Sequence, residues 1–207
     1  MTLTESFICW KDYLSYAERM FIAKGQVIYE EDADSAKGFY YLEKGLIKIS
    51  VNPDMGQGRI IDIVSEMKLF GEQAVDGGVY FSTASAMIDS VVYFFPYGKI
   101  NKLMKKDDGF RELYYENLTE KLKVLSNNLL YDSLPAEKII AHAILLLNEK
   151  FASNIIPFTQ QELSHYTNLN RVTIHNFFKK WNDSVVSLEN KVITIKNISK
   201  LKVIATI

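Results

Sequence analysis

Residues 159–181 read Thr159-Gln-Gln-Glu-Leu-Ser-His-Tyr-Thr-Asn-Leu-Asn-Arg-Val-Thr-Ile-His-Asn-Phe-Phe-Lys-Lys-Trp181. Thr159 and Glu162 have the spacing of a capping box, in which the hydroxyl and the carboxylate each satisfy a backbone donor at a helix start. A short helix follows and buries Leu163 and Tyr166. Asn168 falls in the turn, where Asn tolerates the left-handed conformation better than most residues. Asn170 then caps a second helix, Arg171–Trp181. Ile174, Phe177, Phe178 and Trp181 form its apolar stripe, and Arg171, Val172, His175, Asn176 and Lys179 fall on its other faces. A short helix, a tight turn and a second helix with polar residues at its start read as a helix-turn-helix.

Downstream, Val185-Val-Ser-Leu188, Glu189-Asn190 and Lys191-Val-Ile-Thr-Ile-Lys196 read as a β-hairpin. Asn197 to Ala205 reads as a closing helix, so the order is that of a winged helix. Upstream, Ser133-Leu-Pro-Ala136 interrupts the helical pattern. Pro135 suits the first turn of a new helix, with Ser133 or Asp132 as its cap. That helix runs from Ala136 to about Lys150, with Ile139, Ile140, Ala143, Leu146 and Leu147 on one side. A domain boundary is placed at residue 135.

Before the boundary, Tyr115, Leu118, Leu122, Leu125 and Leu129 follow a 3, 4, 3, 4 spacing. This is an apolar seam about two heptads long. It suits either a parallel helix pair between two copies or packing on the chain's own domain, and its place between two modules favours the pair. Further upstream, residues 10–24 read as a short amphipathic helix ending at Gly25. Then Val27–Tyr29, Gly38–Leu42, Leu46–Val51, Arg59–Val64, Thr83–Ile88 and Val91–Phe95 read as strands separated by turn residues. Short strands at close spacing predict an antiparallel barrel or roll. Asp107-Asp108 marks a helix start.

Composition narrows the function. The 207 residues are 48% hydrophobic and 24% charged, as in ordinary globular protein, with a net charge of −1. The charge is uneven. Residues 1–134 hold 15 Lys and Arg against 20 Asp and Glu, whereas residues 135–207 hold 9 against 5. An acidic front and a basic back suggest modules with different partners. The single Cys9 excludes an internal disulfide, a Cys-ligated iron–sulfur cluster and a multi-Cys zinc site. No apolar run approaches a membrane span, and the first residues lack the pattern of a secretory signal, so a cytoplasmic protein with no membrane partner is expected. No dinucleotide fingerprint, P-loop or nucleophile elbow occurs. Glu162 and His165 have no third ligand of convincing spacing, so no metal site and no enzyme are expected.

The chain resembles the Crp/Fnr family of bacterial transcription regulators over essentially its whole length. Tyr41-Leu-Glu-Lys-Gly45 with Ile47-Lys-Ile49 is similar to the family's early β-roll hairpin. Leu69-Phe-Gly-Glu72 resembles the start of its phosphate-binding cassette. The leucine seam stands where the family has its dimer helix, and Thr159–Leu163 through Arg171–Ile174 resembles its helix-turn-helix. The resemblance implies an α+β protein: a jelly-roll-like antiparallel β-roll sensor domain (1–109), a dimerisation helix and hinge (110–134) and a winged helix-turn-helix DNA-binding domain (135–207).

The resemblance also places an effector pocket at Gly71, Glu72, Gln73, Ser82, Thr83, Val124 and Leu125. In relatives that bind cyclic nucleotides, an Arg about ten residues after the Glu pairs with the phosphate. Here Ser82-Thr83-Ala84 stands in place of that Arg-Ser/Thr-Ala. The cationic partner is gone, and Glu72 is expected to leave the pocket acidic, which argues against cyclic AMP. Val124 and Leu125 lack the hydroxyls of the base-facing positions. Haem is disfavoured because His142, His165 and His175 all follow residue 135. Another small effector, or none, is left.

By the same resemblance, the DNA-binding residues are Thr159, Gln160, Asn170, Arg171, Val172, Thr173, His175, Asn176 and Lys179. Arg171 would pair with guanine, Asn176 would favour adenine, Val172 could touch a thymine methyl and Thr173 would hold phosphate. On an isolated surface helix Arg171 and Asn176 would read as merely solvated, and the capping box and wing argue otherwise. Tyr115, Leu118, Leu122, Leu125 and Leu129 would form the dimer interface. The expected partners are double-stranded DNA, a second copy and RNA polymerase. A cyclic AMP-responsive regulator, or a signalling module whose degenerate winged helix binds protein, is the alternative.

Overall fold

The computed structural model describes residues 9–33, 37–52, 58–74, 78–131, 133–181 and 183–206. The chain divides into two compact units, residues 1–49 with 64–123 and residues 50–63 with 124–207.

A 3₁₀ helix, Trp10–Tyr16, opens the described chain, and strand β1 (Glu18–Ile22) follows it. Strands β2 (Val27–Tyr29), β3 (Gly38–Lys44), β4 (Ile47–Val51), β5 (Arg59–Val64), β6 (Lys68–Phe70), β7 (Thr83–Ala86) and β8 (Ser90–Pro96) come next. They form two four-stranded sheets, ordered β1-β8-β3-β6 and β2-β7-β4-β5. The pairings β1–β8, β3–β8, β3–β6 and β2–β7 are antiparallel.

The helix expected over residues 10–24 is therefore only a 3₁₀ helix to Tyr16. Glu18–Ile22 instead lies along β8, Glu18 opposite Phe94 and Ile22 opposite Ser90. Only Ile22 of this edge strand is buried, so it carries no alternating apolar pattern that would mark a strand. Strand β6 also escaped the sequence, being three residues long.

The core of the first unit is aromatic. Trp10, Phe39, Phe95, Phe110 and Tyr114 pack together, with the Trp10 and Phe110 rings edge-on at 5.5 Å. Gly45 has φ +119°, and a Cβ there would lie 2.1 Å from the Ser90 hydroxyl, so only glycine fits this turn.

Helix α1 (Tyr97–Lys106) ends at Asp107, whose carboxylate accepts from the Phe110 amide at 2.9 Å. Asp107 thereby caps helix α2 (Asp108–Tyr131). The Tyr13 hydroxyl donates to the same carboxylate at 2.8 Å. Burial, and then the bond to Asp107, push Tyr13 up to about 12.

The rest of the second unit holds α3 (Ala136–Phe151), β9 (Ile155–Ile156), α4 (Gln160–Thr167), α5 (Arg171–Trp181), β10 (Val186–Glu189), β11 (Val192–Ile195) and α6 (Ile198–Ala205). Pro135 is the cap of α3 and not its first residue, and its carbonyl accepts from the Lys138 and Ile139 amides. The Ser133 hydroxyl donates back to the Leu130 carbonyl, and so serves the end of α2. Asp132 lies outside the described residues. Asn190 and Lys191, with φ of 50° and 66°, turn the β10–β11 hairpin, and β11 also pairs with β9. Leu163, Ile174, Ile193, Leu201 and Trp181 lie in the interior of this unit.

Candidate nucleic-acid interface and effector site

Local chemistry fixes the two helices around the turn. The Thr159 hydroxyl oxygen accepts from the Glu162 amide at 3.0 Å, and the Thr159 amide donates to the Glu162 carboxylate at 2.8 Å. Asn168 closes α4 in the left-handed region, with φ 55°. The Ser164 hydroxyl donates to the Leu169 carbonyl at 2.6 Å and holds the turn against α4. Asn170 then accepts from the Thr173 amide at 2.7 Å, which starts α5. The Gln160 amide group donates to the Arg171 carbonyl at 2.7 Å, so the first residues of the two helices are tied directly.

This arrangement presents one polar face. Arg171, Val172, His175, Asn176 and Lys179 are all exposed on α5, as is Asn170 before it. Thr159, Gln160 and Thr173 are half-buried. Ile174 and Trp181 point into the unit. Val172 is 68% exposed, an apolar side chain left in solvent on an otherwise polar face. The face offers a guanidinium, an amide, an imidazole, an ammonium and a methyl contact, a mixture that suits base edges and phosphates.

Glu137 was not singled out by sequence. Its carboxylate accepts from Lys180 Nζ at 2.7 Å and from the Trp181 indole at 2.8 Å, clamping α3 to the end of α5. Burial alone would raise its pKa, but the bonds from Lys180 and Trp181 outweigh it and hold the carboxyl below the usual range. Nothing local in the sequence marks residues 43 or 44 positions apart as partners.

The residues expected at an effector pocket are distributed as follows. Gly71 has φ +80°, and a Cβ there would lie 3.2 Å from the rings of Tyr29, Tyr40 and Tyr80. Tyr29 and Tyr80 stack at 3.8 Å, and Tyr40 stacks on Phe70 at 5.0 Å. Burial raises the pKa of the Tyr40 and Tyr80 hydroxyls, so this lining is neutral. Glu72 opens a 3₁₀ turn and is buried. Gln73 donates to the fully buried Ser82 hydroxyl at 2.7 Å, and the Thr83 hydroxyl accepts from the Glu31 amide at 3.1 Å. Val124 and Leu125 are exposed on α2.

The expected acidic pocket is corrected by α2. Glu72 accepts from Asn117 Nδ2 and from Lys121 Nζ, each at 2.6 Å. Its charge is balanced by a cation of the chain itself. Asn117 and Lys121 stand 45 and 49 positions from Glu72, and only the folded chain brings them to it.

Of the seam residues, Tyr115, Leu122, Leu125 and Leu129 are exposed, the last by 67%. Leu118 is half-buried and packs against the aromatic core of the first unit. Among the described residues no group of three or more His, Cys, Asp and Glu could hold a metal ion. No helix among them is long and apolar enough to cross a membrane.

Known proteins agree with this geometry. Residues 19–107 match the family model of the cyclic nucleotide-binding domain. The fumarate and nitrate reduction regulatory protein of Salmonella typhimurium is 25% identical over 193 residues, covering 89% of this chain and 77% of the relative. A Crp/Fnr-family putative transcriptional regulator from Eubacterium rectale superposes with a TM-score of 0.80 at 15% identity, over 99% of this chain and 98% of that one. A CRP/FNR-family regulator from Thermus thermophilus gives 0.78 at 18% identity, over 91% and 98%. Residues 19–107 thus match a cyclic nucleotide-binding domain, and the chain, α+β with an antiparallel front and a helical back, is similar in fold to regulators of the Crp/Fnr family.

Proposed function

We propose that the protein is a homodimeric, DNA-binding transcription regulator that reads an inverted-repeat operator and is not an enzyme. The observation that carries this is the exposed face Arg171, Val172, His175, Asn176 and Lys179, on a helix capped by Asn170 and braced by Gln160. Such a helix lies in the major groove with its N-terminal residues on base edges, and a two-fold dimer spaces its half-sites about one helical turn apart, ~34 Å. Arg171 pairs with guanine, Asn176 with adenine, Val172 with a thymine methyl, and Thr159, Gln160 and Thr173 hold the backbone. Residues 1–109 act as the sensor, 110–134 as the dimer helix and 135–207 as the reader. The exposed Tyr115, Leu122, Leu125 and Leu129 support the dimer, because an apolar row of this length is normally covered. RNA polymerase is the downstream partner, and the cytoplasm is where these partners meet.

The effector is not cyclic AMP in this reading. Gly71, Glu72, Gln73, Ser82 and Thr83 offer no cation to a phosphate, and Glu72 is engaged by Lys121 and Asn117. The match of residues 19–107 to the cyclic nucleotide-binding domain favours a second reading, a cyclic AMP-responsive regulator. Calorimetry with cyclic AMP separates the two: micromolar binding establishes the second. For DNA, a mobility-shift assay on genomic fragments at low salt should retard fragments bearing an inverted repeat. A folded dimer that shifts no fragment would instead favour a winged helix that binds protein.

A further inference from the structure

The four polar side chains expected at the effector pocket, Glu72, Gln73, Ser82 and Thr83, are all engaged within the first unit. Gln73 Nε2 donates to the fully buried Ser82 hydroxyl, and Thr83 Oγ1 accepts from the Glu31 amide. Both carboxylate oxygens of Glu72 are taken, Oε1 by Asn117 Nδ2 and Oε2 by Lys121 Nζ. Glu72 and Asn117 are both buried, so this is an interior contact and not a surface ion pair. The interior beside Gly71 is occupied by the buried rings of Tyr29, Tyr40 and Tyr80, and the Tyr80 hydroxyl donates to the Gly38 carbonyl at 3.2 Å.

Such a site resists entry. A ligand hydroxyl would offer Glu72 a neutral hydrogen bond in exchange for one from an ammonium, and charge-assisted bonds are roughly twice as strong. It would also leave Glu72 buried without a cation, which is the costly way to open a buried pair. A ligand phosphate would meet the carboxylate of Glu72, whose charge cancels that of Lys121.

The same contact sets the rotation of α2. Asn117 and Lys121 lie about one turn apart and both face the β-roll. At ~100° per residue, Leu122 is turned aside from Lys121, and Tyr115 stands on the far side of the helix from Asn117. Tyr115 and Leu122 are exposed accordingly. Lys68 of β6 also reaches Glu120 of α2, a contact between exposed side chains that adds little. The seam is thus presented by a contact made entirely of the chain's own side chains.

We propose that Asn117 and Lys121 are the standing occupants of the effector site, so that the protein presents its dimer helix and binds DNA with no small molecule in the β-roll. The sensor role of residues 1–109 is then exercised through this ion pair. The effect on DNA rests on the regulator reading, whereas the exclusion of a ligand from the site does not.

The full chain is unfolded in urea, dialysed free of small molecules and refolded, or dialysed at length in the native state if refolding fails. It is compared with chain purified directly from cells. Both should retard an inverted-repeat fragment with Kd values equal within about twofold. Cyclic AMP, cyclic GMP and the small-molecule fraction of the host cells should each leave that Kd unchanged, and the two cyclic nucleotides should leave the thermal midpoint unchanged. Lys121→Met, shown to be folded by circular dichroism, should weaken retardation about tenfold and lower the share of dimer in sedimentation. Glu72→Gln should do the same, and decides the matter if Lys121→Met does not fold. Retardation that appears only when the small-molecule fraction is returned overturns the proposal. A midpoint raised several degrees by either cyclic nucleotide overturns it too, as does DNA binding by the folded variants at the parent's Kd. Failure of both preparations to retard any fragment under every addition defeats the regulator reading alone, and an unchanged midpoint then still upholds the closed site.

Discussion

Lys121 Nζ donates to Glu72 Oε2 at 2.6 Å, although the two residues stand 49 positions apart. Asn117, one turn earlier on α2, donates to the other carboxylate oxygen at 2.6 Å. The central helix thus supplies both the charge and the hydrogen bond for a buried carboxylate on the β-roll.

Removing the cation should leave Glu72 buried with one donor. Lys121→Met is expected to lower stability by about 1–3 kcal/mol, the cost of an unsatisfied buried group. Glu72→Gln combined with Lys121→Met should recover part of that loss, because the orphaned charge is gone. Urea unfolding of the parent and the two variants measures both effects. An unchanged midpoint for Lys121→Met would show that the pair contributes nothing.

Leu122 is 63% exposed at the middle of the seam. A charge there should be tolerated by the folded monomer and rejected by a helix pair. Leu122→Glu is expected to give folded monomers that no longer retard an operator. Sedimentation decides the matter, and a dimer of unaltered mass would take the seam out of the interface.

Arg171→Ala should relax discrimination at one base pair per half-site, by about 1–3 kcal/mol. The readout is competition between operators that differ only at that position. Uniform weakening across all sequences would assign Arg171 to phosphate contact.

Glu137 makes stability depend on pH. Its pKa is lowered in the folded state by Lys180 and Trp181 against the opposing effect of burial. The contribution is fully present above the unfolded value of ~4.3 and is lost as pH falls through the lower folded value. Glu137→Gln should therefore remove part of the loss of stability seen between about pH 5 and about pH 3. Urea midpoints across that range test it, and parallel curves for parent and variant would contradict it.

The helix-turn-helix was legible because its determinants are local. Thr159 and Glu162, three positions apart, and Asn170 and Thr173, at the same separation, form the bonds that their spacing predicts. Asn168 adopts the left-handed turn for a reason internal to its side chain. Strand β1 was illegible for the opposite reason. Its residues are mostly solvent-facing, and it is a strand only because β8 offers Ser90–Phe94 to pair with.

The sequence by itself determined most of the elements, the caps of α4 and α5 and the polar face of α5, since these depend on periodicity and on hydrogen bonds between residues a few positions apart. Tertiary structure alone decided that Lys121 and Asn117 neutralise Glu72 and that Glu137 holds Lys180 and Trp181. Those contacts join residues 43 to 49 positions apart, and no local preference encodes them. They exist because burial of the apolar faces brings distant segments together, and each buried charge or polar atom must then find a partner among whatever side chains the packing delivers.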